Sequence, residues 1–129
     1  MNPEIKEQWV TALRSGEYRQ GKGALKRKDD EGFQYCCLGV LCELAIENGV
    51  NVKQSVVDGE YFYDNGDMIL PQKVRAWAAV EDTNPYIANI FANGGYHRFA
   101  LAELNDGAPS YNMASWTFAQ IADLIEEKF

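Results

Sequence analysis

The chain has 129 residues, with 12 Lys and Arg against 19 Asp and Glu, and a formal charge of −7. That length fits one domain, 1–129, and a content of 47% hydrophobic and 12% aromatic residues supplies a real core, which excludes wholesale disorder. The acidic balance argues against a nucleic-acid coat or a basic membrane-surface protein.

The opening Met1-Asn2-Pro3-Glu4-Ile5 has neither a positive nor an apolar region of the kind a secretory signal needs. The longest apolar stretch, near Cys36 to Ile46, is interrupted by Gly39 and Glu43 and is too short to span a bilayer. A cytoplasmic protein is expected. Asn2 as cap, Pro3 at the first helical position and Glu4 in the first turn start a helix, whose stripe is Ile5, Trp9 and Leu13 and whose stop is Gly16.

Residues 24–28 and 33–36 flank the acidic turn Asp29-Asp30-Glu31-Gly32 and read as a hairpin. A second helix follows, with Leu38, Leu41, Cys42 and Ala45 on one face and Gly49 at its end. A second hairpin is read from Val56-Val57 and Tyr61-Phe62-Tyr63, through Asn65-Gly66 as its turn, to Met68-Ile69-Leu70. Pro71 opens a helix with Val74, Trp77 and Ala78 inward.

Residues 83–95 carry no clear period, and 97–104 read as a short helix stopped by Asn105-Asp106-Gly107. The last helix has the T-x-x-Q capping box of Thr117 and Gln120, with Phe118, Ile121, Ile125 and Phe129 in its stripe. These elements make an α+β fold, about five short helices packed with one or two hairpins; no strand–helix alternation points to a parallel sheet.

The charge is unevenly spread. Residues 14–28 hold six of the twelve positive side chains and one acid, so they carry +5 and the remainder −12. A local positive field steers a bound phosphate whatever the net charge, and Gly21-Lys22-Gly23 offers flexible backbone N–H groups, although neither the Walker nor the dinucleotide glycine pattern is present. Two readings follow. In one, Arg14, Arg19, Lys22, Lys26 and Arg98 hold phosphate oxygens while Tyr61 or Tyr63 stacks on a base. In the other, the cations blunt an exposed strand edge or pair with the Asp29–Glu31 cluster.

Cys36, Cys37 and Cys42 form an odd set without metal-ligand spacing, and buried, reduced thiols are expected. Cys36 or Cys37 at a helix start, then His97, then Asn105 or Asp106, follows the chain order of papain-like and CHAP-type cysteine hydrolases, in which a helix N-terminus and an imidazole activate a thiolate. Small core residues explain the same cysteines. Asp64-Asn65-Gly66-Asp67 lacks the rest of a calcium loop and is explained by a turn. No metal, cofactor or catalytic set is assigned.

Three segments, Trp9 to Gly21, Tyr35 to Ala45, and Leu104-Asn105-Asp106 with the Phe118 to Glu126 helix, together resemble a group of small accessory proteins of tailed phages, prophages and bacteria. The resemblance spans nearly the whole chain and implies a protein acting in the host-cell cytoplasm; no catalytic residue is established for that group, so none carries over. The resulting expectation is non-catalytic, counter-defence-like sequestration of a phosphorylated or nucleotide-like ligand. The alternatives are an acidic protein-interaction antagonist of a host protein and the cysteine hydrolase. The −12 remainder disfavours extended nucleic acid, and a site shared between copies in a homo-oligomer is compatible with the sequence.

Overall fold

The computed structural model describes residues 1–129. Its α-helices are α1 (Pro3–Arg14), α2 (Cys37–Glu47), α3 (Gln72–Ala78), α4 (Leu101–Asp106) and α5 (Phe118–Lys128). Its strands are β1 (Lys26–Asp29), β2 (Gly32–Tyr35), β3 (Gln54–Val57), β4 (Glu60–Tyr63), β5 (Tyr86–Ala92) and β6 (Gly95–Ala100). The strands form an antiparallel sheet of order β2-β1-β4-β3 and a separate β5-β6 hairpin, an α+β arrangement around one hydrophobic core. No helix is long and apolar enough to cross a membrane.

α2 is the centre. Cys37 to Cys42, Leu44 and Ala45 are all buried, so this helix is apolar nearly all round rather than on one face, as a helix covered on every side must be. Gly39 makes that burial geometrically feasible: a Cβ there would sit 1.8 Å from the carbonyl oxygen of Leu25. α1 lies against α2, with Ile5, Trp9, Val10 and Leu13 inward; the fully buried Trp9 donates its ring N–H to Cys37 O at 2.9 Å. Asn2 Oδ1 accepts from Glu4 N and Ile5 N, as its capping chemistry predicts. The Thr117–Gln120 box forms in both directions and starts α5 against α1.

The structure departs from the sequence reading in two places. The second hairpin turns at Asp58-Gly59, both with positive φ, and pairs β3 with β4; Asn65-Gly66 is a later turn, and Met68–Leu70 is not a strand. Both dipeptides suit a turn, and the choice is made non-locally, because β4 must also pair with β1 through Lys26 and Arg27. The second departure is at 83–104. The residues 97–104 read as helix are divided between β6 and α4, and the unassigned stretch before them is β5. A bulge at Asn89, with φ +64°, shifts register between Ile87 and Ile90, so two isoleucines three positions apart both point inward. That spacing reads as helical until the extra residue is known. The count is therefore three hairpins rather than one or two.

Candidate functional site

The expected phosphate-holding cations do not converge. Arg14, in the last turn of α1, meets Asp123 at 2.5 Å and Glu126 at 2.6 Å on α5. Arg19 forks onto Asp29 and Glu31, each at 2.7 Å, which is the pairing with the acidic turn that the sequence offered as the second reading. This guanidinium holds the Asp29 carboxyl below the usual carboxylate range. Lys22 is exposed in its glycine loop and forms no ion pair.

Lys26 is 8% exposed, beneath the sheet. Its ammonium donates to Glu43 Oε1 at 2.7 Å and Gln54 Oε1 at 3.1 Å and lies 4.5 Å and 4.6 Å from the ring centroids of Phe33 and Tyr61. Tyr63 is buried and donates its hydroxyl to the same Glu43 oxygen at 2.8 Å; burial pushes that phenol's pKa up. Thus Lys26, Tyr61 and Tyr63 do come together, as a closed cation cage satisfied by the protein's own groups. The most voluminous groove, an open one of about 580 Å³ between α1 and α2, is lined by Glu4, Glu7, Glu17 and Glu47 and by no basic residue, so its field opposes phosphate.

The three distinctive sequence segments meet in a polar seam. Asn105 is fully buried. Its Oδ1 accepts from Cys37 N at 3.2 Å and Gln20 Nε2 at 3.0 Å, and its Nδ2 donates to Gly21 O at 2.8 Å and Asp106 Oδ1 at 2.9 Å. Gln20 Nε2 also donates to Trp116 O at 2.8 Å, and its Oε1 accepts from Phe118 N at 3.0 Å. One amide pair thereby ties the glycine loop to the N-termini of α2 and α5, satisfying donors that helix starts leave free. The sequence offered Asn105 as a helix stop and as one candidate third member of a Cys–His set, not as a joint; the overlooked signal was two amides, Gln20 and Asn105, inside otherwise distinctive motifs.

The thiols are equally structural. Cys36 is buried and its pKa is pushed up to about 12 by desolvation; Cys37 and Cys42 are pushed well above the usual thiol value for the same reason. Cys37 Sγ contacts Leu101 O at 3.7 Å, while His97 meets Tyr111 edge-to-face with ring centroids 4.8 Å apart and has no hydrogen-bond partner at Nε2. No thiol is held by an imidazole.

Arg98 lies elsewhere, on the outer face of the β5-β6 hairpin, 5.0 Å from the ring centroid of Tyr86. The Asn89 bulge sends Ile87, Ile90 and Phe99 inward and leaves Tyr86, Phe91 and Tyr96 outward at 52%, 64% and 71% exposure. Phe91 and Tyr96 are directly opposite across the strands, with an edge-to-face contact at 5.3 Å. Residues 83–102 contain no Asp or Glu in a chain otherwise rich in both. An aromatic strip with one unpaired guanidinium, free of carboxylates, has the composition of a contact hot spot.

A family model described as "Domain of unknown function (DUF8296)" matches residues 1–129. No curated protein and no solved structure matches the chain.

Proposed function

We propose, for a chain that belongs to the DUF8296 domain family, a non-catalytic binding role in which the outer face of the β5-β6 hairpin docks on a basic protein. The observation that carries this reading is the exposed Tyr86–Arg98–Tyr96–Phe91 strip in a segment without carboxylates. Its rings supply apolar contact at the centre, and the acidic body around it, including the groove of Glu4, Glu7, Glu17 and Glu47, favours a partner with a positively charged rim. This is the protein-interaction antagonist among the sequence-based readings, with a host-cell protein as target. Three free, buried thiols fit a reducing compartment such as the cytoplasm.

Nucleotide sequestration rests on Lys22 and Arg98, the two expected cations without a carboxylate partner. It lacks the convergent, concave, positively charged wall that a small phosphate ligand uses. The hydrolase reading has no activated nucleophile, since burial opposes the thiolate.

The test is capture of a partner from host extract, followed by calorimetry with that partner purified. Tyr96→Ala and Phe91→Ala are each expected to weaken binding at least tenfold, about 1.4 kcal/mol, with unfolding temperature unchanged. A partner that binds both variants like the native chain would refute the assignment. In parallel, a thermal-shift series with cyclic and linear nucleotides addresses sequestration: a saturating rise in Tm that Lys22→Ala and Arg98→Ala abolish would support it over protein docking.

A further inference from the structure

The four-stranded sheet finishes differently at its two edges. Outside β2 the chain covers its own edge: Gly21 N donates to Tyr35 O at 2.7 Å, and Tyr35 N donates to Arg19 O at 2.8 Å. Outside β3 there is no further strand. β3 reads Gln54-Ser55-Val56-Val57, exposed at every position, with Val56 at 52% and Val57 at 61%. It has no charge, proline or bulge, the features that otherwise keep edge strands from pairing.

The direction of the backbone groups follows from the hairpin. Asp64 N donates to Lys53 O at 2.7 Å, so the odd-numbered residues Lys53, Ser55 and Val57 turn their backbone groups towards β4. Alternation leaves the N–H and C=O of Gln54 and Val56 facing outward.

We infer that β3 is where two copies of this chain pair, antiparallel across a twofold axis at Ser55. In that register Gln54 lies opposite Val56 of the partner subunit. The outward groups of both then exchange N–H···O=C bonds, and the axis repeats the exchange for about four bonds in total.

The side chains identify the occupant as a second copy rather than any passing strand. Residues opposite one another share a face of the sheet, so Lys53 lies across from Val57 of the partner subunit. Glu60 pairs with Val57 on β4 and therefore stands one row further in. Lys53 is exposed and forms no ion pair, and Glu60 reaches only Arg27, at 3.6 Å. Two strand spacings, roughly 9–10 Å, are within the combined reach of a lysine and a glutamate, with the lysine stem lying over the intervening valine. Twofold symmetry makes the second Lys53–Glu60 contact identical to the first. An uncharged strand with a cation beside one end and a carboxylate behind the other is complementary to itself.

Light scattering measures the mass in solution from micromolar to near-millimolar concentration. The native chain is expected to rise towards twice the chain mass. Val56→Pro removes an outward N–H and no β3–β4 ladder bond, and it stays at one chain mass. Lys53→Glu also stays monomeric, and Lys53→Glu/Glu60→Lys recovers the dimer. Hydrogen exchange at Gln54 and Val56 slows with concentration, whereas Ser55 exchange does not change. A native chain that remains monomeric throughout overturns the inference. So does a folded Val56→Pro chain that associates like the native one, which places the contact on another surface. A double exchange no better than Lys53→Glu alone also overturns it, and that arm decides the matter if Val56→Pro fails to fold.

Discussion

The Gln20–Asn105 seam and the outer face of the β5-β6 hairpin handle polar and apolar groups in opposite ways. In the seam, the buried Asn105 and the half-buried Gln20 have their hydrogen-bonding groups matched to backbone and side-chain partners drawn from four parts of the chain. On the hairpin, Tyr86, Phe91 and Tyr96 stay in water although a core lies directly behind them, and Arg98 has aromatic company but no carboxylate. The seam is built from the most distinctive sequence segments, and the hairpin from the least patterned one. Distinctive motifs here mark what holds the fold together, and the surface suited to recognition lies in a stretch whose regularity a bulge conceals.

That contrast breaks if changes to the seam disturb recognition more than stability, or if changes to the hairpin do the reverse. Gly39→Ala is expected to have the largest effect. Its Cβ would lie 1.8 Å from Leu25 O, and because both sides are backbone, relief requires α2 to move, for a loss of about 3 kcal/mol or more in denaturant unfolding. Asn105→Ala follows, at about 3 kcal/mol, because it strands the Cys37 N–H and Gly21 carbonyl in the interior.

Lys26→Met leaves Glu43 with the Tyr63 hydroxyl but no cation, an expected loss of about 2–3 kcal/mol, most of which Lys26→Met/Glu43→Leu should recover. Tyr96→Ala and Phe91→Ala should change stability by no more than about 0.5 kcal/mol while weakening partner binding. The smallest effect is electrostatic. Since Arg19 lowers the folded-state pKa of Asp29, the stability it contributes is present above the unfolded carboxyl value of about 3.9 and is lost as pH falls through the lower folded value. Comparing the native chain with Arg19→Gln across an acid titration should show a difference that disappears in that window.

Local chemistry made the ends of the molecule legible. Asn2-Pro3-Glu4 and the Thr117–Gln120 box act within a few residues of themselves, so α1 and α5 follow directly from sequence. The β3-β4 turn could not be chosen locally, because Asp58-Gly59 and Asn65-Gly66 both suit a turn and the deciding pairing is with β1. β5 was hidden by one inserted residue. The charge imbalance over residues 14–28 was legible, but the pairing that neutralises it was not: Arg14 and Asp123 are 109 positions apart, and periodicity does not reveal such a partner. The exposed aromatics required the face assignment that the bulge alters.

The seam also sets a schedule for synthesis. Gln20 and Gly21 emerge early from a ribosome, but the groups that complete their hydrogen bonding lie at Asn105, Trp116 and Phe118. Until those late residues appear, the nascent chain cannot close its polar joint, and the apolar surface of α2 waits for α4 and for α1 braced by α5. Long-range closure of this kind slows folding and lengthens the interval in which exposed core surface can aggregate. A chain stalled before α5 is therefore a natural client for chaperones, whatever its finished stability.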